Sequence, residues 1–521
     1  MAALLDFLVG NKHSRWMIDE LFIRMAQKRV RNLDQLDAVK VQRDNLFYLL
    51  QKAKNTQFAA DHHFNRINSI RDYQQLVPIR EYEFFWQNYW QKKYPSIENQ
   101  TWPGNPPYIA LSSGTTSGTT KYIPVSKEML ASNRKSAFTT LSLYRAYRPN
   151  AHLFYGNFFF LAGNTDLKPL ENGSRPGDLS AISALAVPQI ARLFTFPPLS
   201  ISGIKEWDDK LTQLAEQSIR LPIVGLSGVP SWMLVLFDRV KQLSGKNYIS
   251  DIWPELRLII HGGTKFEPFR PVFEKEINNP AVDYIDVYPC SEGYVATEDP
   301  RYKMLRLIVD HNIFFEFVPT SELKHENPTR HTLESIDLNV EYAVVMTTCA
   351  GLWSYVVGDT VSFTCKSPPL LRFTGRTKYF LSAFGEHLIY EEIDKAIAKA
   401  AEKTNSLVKN FHVGPIFPDT PGRPGHHLYL VEFAIPPHDT QQFCQELDHQ
   451  LCILNEDYQA HRKGNISMLL PELKVVQNGG CAAWMLAHGK QPPQHKFPNM
   501  DNSGIQTKSI SDWLKKNQFI Q

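Results

Sequence analysis

Residues 111–126, LSSGTTSGTTKYIPVS, combine hydroxyl groups, glycines and a lysine in a pattern that could bind phosphate. Glycine lets a backbone come close to a ligand, and successive N–H groups in a tight loop can surround an anion. Hydroxyl groups add hydrogen-bond donors, and Lys121 ends the run with a compact positive charge. The other residues of this predicted phosphate-binding loop are Ser112, Ser113, Gly114, Thr115, Thr116, Ser117, Gly118, Thr119 and Thr120.

The spacing of this loop differs from two common nucleotide-binding patterns. A Walker loop has four residues between its glycines, and its lysine follows the second glycine directly. Here three residues separate Gly114 from Gly118, and two more precede Lys121. The G-x-G-x-x-G fingerprint of dinucleotide-binding folds is absent. A solvated Ser/Thr/Gly loop is the alternative interpretation, but seven hydroxyl groups beside a lysine favour phosphate.

A carboxylate follows another predicted strand, in residues 288–293 (YPCSEG). Glu292 stands between Ser291 and Gly293, just after a strand predicted over 282–287. These residues could hold Mg²⁺ against a phosphate, because Mg²⁺ is often bound by one or two carboxylates together with substrate phosphates. A plain turn is an equally good interpretation of this segment alone.

Two further strand ends carry glycine beside polar residues. Residues 261–265 (HGGTK) follow a strand predicted over 256–260, and Asp359 follows Gly358 after a strand predicted over 344–348. The carboxylate of Asp359 can accept hydrogen bonds from both hydroxyl groups of a ribose. Each segment alone is also explained by a turn, since Gly-Gly and Gly-Asp pairs commonly form turns.

Length, charge and hydropathy narrow the class of protein. The 521 residues carry a net charge of +3, and 43% of them are hydrophobic. So small a charge does not indicate nucleic acid binding, whereas the hydrophobic content is sufficient for a large core. No apolar run reaches the roughly 18 residues of a membrane span, and no signal-peptide pattern follows the start. We therefore expect a cytoplasmic protein with no membrane or nucleic acid partner, beginning with an amphipathic helix.

The six cysteines and seventeen histidines show no spacing typical of a metal site. The cysteines form no C-x-x-C pair, and the histidines form no H-E-x-x-H pattern. We therefore expect free, mostly buried thiols and no structural zinc.

Apolar periodicity predicts an α/β fold. Residues 1–95 have helical spacing, and a strand at 108–111 places the phosphate loop at the carboxyl end of a strand, where α/β sheets bind ligands. Residues 165–205 have no clear period, which is typical of a lid or a pocket wall. We predict a large N-terminal α/β domain, residues 1–376, with mixed sheets flanked by helices, and a smaller C-terminal α+β domain, residues 377–521. The predicted elements are helices 127–147 (with Ser126 as N-cap), 232–243, 393–403 and 440–455, and strands 153–161, 221–226, 256–260, 282–287, 344–348, 427–433 and 473–476.

Four motifs occur in a fixed order: SSGTTSGTTK (112–121), YPCSEG (288–293), AGLWSYVVGD (350–359) and GRTK (375–378). This order resembles that of the acyl-adenylate-forming superfamily. The first three motifs most resemble the auxin-responsive acyl-acid amido synthetases, which conjugate amino acids to acyl acids. The similarity extends from about residue 110 to about residue 390, and the C-terminal tail shows a weaker similarity. We therefore interpret the chain as a bacterial-type member of this amido synthetase family.

The resemblance implies a role for each matching residue. Residues 112–121 would surround the triphosphate of ATP. Ser291 would contact the acyl carboxylate or a phosphate, and Glu292 would hold Mg²⁺. Lys496 would neutralise charge during adenylation, with Lys490 as the alternative C-terminal lysine. The remaining implied contacts are those of Gly262, Gly263 and Thr264 with the adenine and acyl group, of Tyr288 with the adenine, of Asp359 with the ribose, and of Arg376 with the ribose or a phosphate.

The implied activity is an ATP- and Mg²⁺-dependent ligation. The enzyme, a monomer or homodimer, would convert a small carboxylic acid to acyl-AMP with release of pyrophosphate, and then pass the acyl group to an amino acid. Lys378 would be the hinge between the domains. Two alternatives remain open: transfer to a thiol such as coenzyme A, and a nucleotide-binding relative without activity. The second depends on two departures from the family, since no arginine stands near Ser354 or Val356 and Asn499 replaces arginine after Pro498.

Overall fold

Helices and strands alternate along the residues that the computed structural model describes, which are 11–112, 120–204, 206–263, 266, 269–323, 325–377, 380–418, 423–465, 467–488 and 497–520. The helices are α1 (Lys12–Gln35), α2 (Ala38–Ala53), α3 (Gln57–Asp61), α4 (Ile70–Leu76), α5 (Tyr82–Phe85), α6 (Lys127–Tyr147), α7 (Leu179–Leu185), α8 (Gln189–Arg192), α9 (Leu199–Ser202), α10 (Trp207–Ser218), α11 (Pro230–Ser244), α12 (Ile249–Ile252), α13 (Arg270–Ile277), α14 (Tyr390–Lys403), α15 (Thr440–Leu454), α16 (Glu456–Arg462), α17 (Gly480–Ala487) and α18 (Ile505–Lys516). The strands are β1 (Tyr108–Ser112), β2 (Lys121–Val125), β3 (Asn157–Phe160), β4 (Arg175–Gly177), β5 (Thr195–Phe196), β6 (Ile223–Gly228), β7 (Leu258–Gly262), β8 (Asp283–Cys290), β9 (Gly293–Asp299), β10 (Met304–Leu307), β11 (Ile313–Pro319), β12 (Glu341–Thr348), β13 (Tyr355–Lys366), β14 (Pro369–Arg376), β15 (Phe380–Leu381), β16 (Leu388–Ile389), β17 (Leu407–Ile416), β18 (His426–Ile435) and β19 (Glu472–Val476).

The N-terminal helices begin at side chains that accept a hydrogen bond from the first helical turn. Asn11 accepts from the N–H of His13 before α1, and Asp37 accepts from the N–H of Lys40 before α2. Such caps satisfy backbone donors that a helix leaves without partners. The helical prediction for this region is confirmed for its described residues, and the aromatic segment from α5 through the π-helical turn Trp86–Trp90 packs into the core.

Eleven strands form one continuous mixed sheet, in the order β11-β12-β13-β14-β10-β9-β8-β7-β6-β3-β5. Strands β5, β3, β6, β7 and β8 are parallel, and every later pairing from β8 to β11 is antiparallel. Helices cover both faces of the parallel half: Ile260 of β7 packs in a cluster with Tyr144 of α6, whereas Ile259 packs in a cluster with Phe237 of α11. The predicted mixed α/β fold is confirmed.

The predicted phosphate loop connects two strands of a separate three-stranded sheet. Strand β1 pairs with β2 in an antiparallel register that places Ser112 opposite Lys121, and it pairs with β4 in parallel. The strand at 108–111 is confirmed, and it belongs to this smaller sheet rather than to the eleven-stranded one. Strand β2 is not evident in the sequence because it contains Pro124, which an edge strand tolerates since one side of its backbone needs no partner.

Several other predicted segments differ in detail from the structure, among them the strand predicted over 153–161, which is the shorter β3. Asp359 lies inside β13, so the turn interpretation of Gly358 and Asp359 is wrong. Strand β8 extends beyond its predicted end, and Ser291 and Glu292 form the two-residue turn between β8 and β9. Residues 165–205 contain the short elements β4, α7, α8, β5 and α9, which are too brief to produce a visible period.

The C-terminal residues form the predicted α+β unit, in which β17, β18 and β19 pack with α14 and α15. Strand β17 was not predicted. At the start of this unit, Glu386 accepts hydrogen bonds from the backbone N–H groups of Ala383 and Phe384 and pairs with His427 at 2.8 Å. Both members of the pair are fully buried. Phe384 belongs to the same buried cluster as Ile259 of the large sheet, so the C-terminal unit and the large sheet share one hydrophobic core.

Two expectations about the environment of the chain can be compared with the structure. All six cysteines are free thiols, as predicted. Among the helices of the described ranges, none combines the length and the apolar character needed to cross a lipid bilayer.

Candidate active site

A cleft of about 2090 Å³ extends between the β1–β2 hairpin, the large sheet and the C-terminal unit. The predicted site residues that line it are Ser112, Lys121, Gly262, Gly263, Tyr288, Ser291, Glu292, Asp359 and Arg376. Thr120 lies beside the hairpin but is not among the lining residues. The predicted residues that lie outside the described residues are Ser113, Gly114, Thr115, Thr116, Ser117, Gly118, Thr119, Thr264, Lys378, Lys490 and Lys496.

The hydroxyl group of Tyr355 joins Lys121 to Glu292. The Nζ of Lys121 donates a hydrogen bond to that hydroxyl at 3.3 Å, and the hydroxyl donates to Oε1 of Glu292 at 2.8 Å. All three side chains are buried, and Nζ of Lys121 lies over the rings of Tyr82 and Tyr355 at 5.7 and 5.9 Å. Burial and the charge of Glu292 raise the pKa of Tyr355 well above its usual value. The hydroxyl therefore stays protonated and holds the two charged groups in place.

The turn that carries Ser291 and Glu292 is fixed by its neighbours. The thiol of Cys290 donates a hydrogen bond to the carbonyl oxygen of Gly293 at 3.0 Å, which closes the turn. Burial and the charge of Glu292 raise the pKa of Cys290 well above its usual value, so this thiol is not a nucleophile. A Cβ on Gly293 would lie 2.7 Å from Cδ1 of Ile313, so a larger residue there would require that side chain to shift.

Asp359 is held between a tyrosine and an arginine. Its Oδ2 accepts a hydrogen bond from the hydroxyl of Tyr288 at 2.7 Å, and its Oδ1 lies 2.7 Å from Nε of Arg376. Arg376 is its register partner on β14, so sheet pairing sets this contact. Burial and the charge of Asp359 raise the pKa of Tyr288 well above its usual value. The site thus presents a carboxylate and a guanidinium side by side, groups suited to ribose hydroxyls and phosphate oxygens.

Glycine at the end of β7 leaves backbone exposed to the cleft. A Cβ on Gly262 would lie 2.5 Å from the carbonyl oxygen of Val287, and Gly263 has a φ of +82° that disfavours other residues. A side chain would clash at Gly262 and strain the backbone at Gly263, so glycine at both positions lets a flat group approach the peptide planes closely.

Three family models match consecutive parts of the chain. The GH3 family N-terminal domain matches residues 30–169, the GH3 family central domain matches 306–376, and the GH3 family C-terminal domain matches 391–504. The chain belongs to the GH3 family. This membership confirms the resemblance that the ordered motifs indicated.

Curated relatives of this GH3 chain include plant enzymes. "Probable indole-3-acetic acid-amido synthetase GH3.1" of Arabidopsis thaliana is 27% identical over 318 residues, which cover 56% of this chain and 51% of the relative. "4-substituted benzoates-glutamate ligase GH3.12" of Arabidopsis thaliana is 27% identical over 209 residues, covering 37% of this chain and 36% of the relative. The chain therefore matches about half, or less, of the length of these relatives.

Solved structures show the same fold over almost the whole chain. "GH3.15 acyl acid amido synthetase" has a TM-score of 0.58 at 18% identity and covers 94% of this chain and 95% of that one. A 2-hydroxyisobutyryl-CoA ligase with bound 2-HIB-AMP and CoA has a TM-score of 0.57 at 13% identity, covering 92% and 93% of the two chains. The GH3 chain thus has the fold of two-domain adenylate-forming enzymes.

Tyr355 is part of the site although sequence reasoning did not single it out. It stands in the motif AGLWSYVVGD, where apolar neighbours make a tyrosine look like a core residue. Only the pairing of β13 with its neighbours brings its hydroxyl to Lys121 and Glu292. The sequence did contain one indication of its role: Tyr355 is an aromatic residue with a hydroxyl group, and it stands inside a motif that was assigned to nucleotide binding.

The donor groups of the cleft fit Mg²⁺ better than a metal held by protein alone. Within the described ranges, no three His, Cys, Asp or Glu side chains are grouped so that they could hold a metal ion. Glu292 offers one carboxylate in the cleft, next to the residue that holds Lys121. A single carboxylate suits Mg²⁺ because that ion commonly completes its coordination with substrate phosphates and water.

Proposed function

We propose that this GH3 chain is an ATP-dependent ligase that joins a carboxylic acid to the amine of an amino acid through acyl-AMP. One observation carries the proposal: a single cleft holds both the Lys121–Glu292 pair and the Asp359–Arg376 pair. The names of the relatives support it, since they include indole-3-acetic acid-amido synthetases and a ligase of substituted benzoates with glutamate.

In the first step, the carboxylate of the acid attacks the α-phosphorus of ATP, and pyrophosphate leaves. Negative charge grows on the phosphate oxygens, and a cation in a buried cleft stabilises that charge more than it would in water. Lys121 is preorganised for this role because the Tyr355 hydroxyl and two aromatic rings fix its position. Glu292 would hold Mg²⁺, which when bound supplies Lewis-acid stabilisation of the same charge.

The nucleotide would lie along the other strand ends that line the cleft. Asp359 would accept hydrogen bonds from the ribose hydroxyls, and Arg376 would contact the ribose or a phosphate. The exposed backbone at Gly262 and Gly263 would admit the adenine and the acyl group. Tyr288 would lie near the adenine, with its hydroxyl kept on Asp359.

Acyl transfer would follow a change in the orientation of two domains. We place these domains at residues 1–376 and 377–521, with the hinge near Lys378. Residues of the C-terminal unit, including Gly385 and His461, line the cleft, so such a movement would reshape it and exclude water from the mixed anhydride. The proposed C-terminal lysines that would assist adenylation are Lys490 and Lys496.

ATP–pyrophosphate exchange tests the proposal. Indole-3-acetate, benzoate and hexanoate would be offered in turn, and acid-dependent exchange is the expected result. The mass of the product, with amino acids or coenzyme A present, then identifies the acceptor. A thioester in place of an amide would assign the coenzyme A alternative. ATP binding without exchange across a broad panel of acids would leave a nucleotide-binding relative without ligase activity.

A further inference from the structure

A second polar cluster lies in the same cleft. Its N-terminal half, formed by the residues that come first in the sequence, stands on a loop that hydrogen bonds hold in place. Asp178 precedes α7 and exposes its carboxylate to the cleft. Buried Lys210 donates hydrogen bonds to the carbonyl oxygens of Ala162 and Gly163 at 2.9 and 2.8 Å, and the N–H of Gly163 donates to Oγ of Ser180 at 3.0 Å. A Cβ on Gly163 would lie 2.5 Å from Oδ2 of Asp178, so the carboxylate rests against this loop.

The C-terminal half of the cluster is centred on His461. Its Nδ1 donates a hydrogen bond to the carbonyl oxygen of Asp457 at 2.7 Å, which leaves Nε2 as an acceptor. The residue is 7% exposed, and none of the described residues forms a hydrogen bond with Nε2. Gly385 keeps the space beside this nitrogen open, because a Cβ there would lie 2.7 Å from Nε2. The carboxylate of Asp457 also lines the cleft, 3.2 Å from Nδ1 of His387.

The two halves face each other across the cleft. The ring of Trp232 on α11 lies 5.7 Å from the ring of His461. Burial and the charge of Asp457 raise the pKa of Asp178, while the charge of Lys210 lowers it, so these charged groups lie close enough to interact. The result is a concavity lined by two carboxylates, an indole ring and an imidazole acceptor.

This combination of groups fits a primary ammonium ion. Carboxylates and aromatic faces both attract organic cations, and an imidazole nitrogen accepts a hydrogen bond from N–H. The adenylation roles proposed above use none of these side chains. We propose that Asp178, Trp232, Asp457 and His461 form the subsite for the acceptor amine, an inference that rests on the proposed ligase function.

His461 also serves as the acceptor of a proton in this subsite. An acceptor that enters as R–NH₃⁺ can attack only after its nitrogen has lost one proton, and Nε2 of His461 takes that proton. The freed lone pair forms the C–N bond, the C–O bond to the phosphate of acyl-AMP breaks, and AMP leaves. The second N–H proton passes to water. Because Asp178 and Asp457 repel further negative charge, we expect glycine and L-lysine to be better acceptors than L-glutamate.

Steady-state kinetics with an acid that supports exchange tests the subsite, using glycine, L-lysine and L-glutamate as acceptors. Asp178→Asn is expected to raise the KM for the acceptor by at least about tenfold, because it removes a charge-assisted contact with the ammonium group. His461→Gln is expected to lower kcat for amide formation more than it changes this KM. Glu216→Gln alters an exposed carboxylate of α10 that does not line the cleft, and it is the matched control.

Unchanged acceptor KM and kcat in both variants would overturn the inference, as would a preference for L-glutamate. If His461→Gln does not fold, the inference is tested with Asp178→Asn and Asp457→Asn. Both side chains are accessible in the cleft, so we expect these variants to fold. A different failure is distinguishable: absence of exchange in the unaltered protein with every acid would reject the ligase function itself, and the subsite with it.

Discussion

Replacement of Tyr355 by phenylalanine removes one hydroxyl group from the contact between Lys121 and Glu292. That hydroxyl accepts a hydrogen bond from Nζ at 3.3 Å and donates one to Oε1 at 2.8 Å. The ring remains, so its packing against Phe85, at 6.1 Å between centroids, and its contact with the lysine are kept. The variant therefore isolates what the hydroxyl contributes.

The expected loss follows from the burial of the two charged groups. A hydrogen bond to a charged group contributes about 1.5–3 kcal/mol, and a buried charge that loses its partner keeps its desolvation cost. Lys121 and Glu292 are 4% and 7% exposed, so water cannot readily replace the hydroxyl. With about 1.4 kcal/mol for each tenfold change in rate, we expect kcat/KM for ATP to fall about 10- to 100-fold.

Acid-dependent ATP–pyrophosphate exchange measures this loss, with thermal unfolding recorded on the same preparations. Tyr342→Phe is the matched control, because Tyr342 is equally buried on the neighbouring strand β12 and its hydroxyl accepts a hydrogen bond from the N–H of Asp337 at 2.9 Å. Both variants should be destabilised to a similar extent, and only Tyr355→Phe should lose exchange. Normal exchange in Tyr355→Phe, or equal losses in both variants, would refute the idea that this hydroxyl positions the Lys121–Glu292 pair.

Three further predictions concern charged side chains. Lys121→Ala and Glu292→Ala should each reduce exchange by about 100-fold or more in a protein that remains folded, and normal turnover in both would remove the basis of the site assignment. Asp359→Asn should raise the KM for ATP about tenfold, because it removes the charge that pairs with the neighbouring arginine, and an unchanged KM would argue against a nucleotide contact. Burial alone would raise the pKa of Glu386, but the charge of His427 and hydrogen bonds from His427 and the backbone lower it from 4.5 to about 2. The pKa of Glu386 is lower in the folded protein than in the unfolded chain. Its ionised carboxylate therefore adds to the free energy of unfolding above about pH 4.5, and this contribution is lost as the pH falls towards 2. Urea unfolding at several pH values should show the loss, and Glu386→Gln should lack it.

Local sequence was sufficient to predict elements whose signals lie within a few residues. Helix α6 spans Lys127–Tyr147, as the sequence predicts, and Ser126 accepts a hydrogen bond from the N–H of Met129 as its N-cap. The strands that precede Gly262 and Glu292 were predicted in the same way, from an apolar run followed by glycine and polar residues, although β8 extends beyond its predicted end.

The sequence alone did not show which distant segments pair with one another. A period of two residues shows which side chains share a face of a strand, but it does not show which strand lies beside it. The sequence therefore pointed to Asp359 without its place inside β13 or its pairing with Arg376 across the sheet. The approach of His461 to Trp232 was hidden for the same reason, since neither residue stands in a motif.

The hairpin register of β1 and β2 distinguishes two parts of the proposed phosphate site that look like one motif in the sequence. Lys121 begins β2 opposite Ser112, and its amine contacts Tyr82 and Tyr355. Because these two contacts come from outside the connection between β1 and β2, we expect changes in the length or composition of that connection to leave the lysine in place. Exchanging residues 113–119 for the equivalent segment of another family member should therefore change the proposed contacts with the polyphosphate and leave the position of Lys121 unaltered.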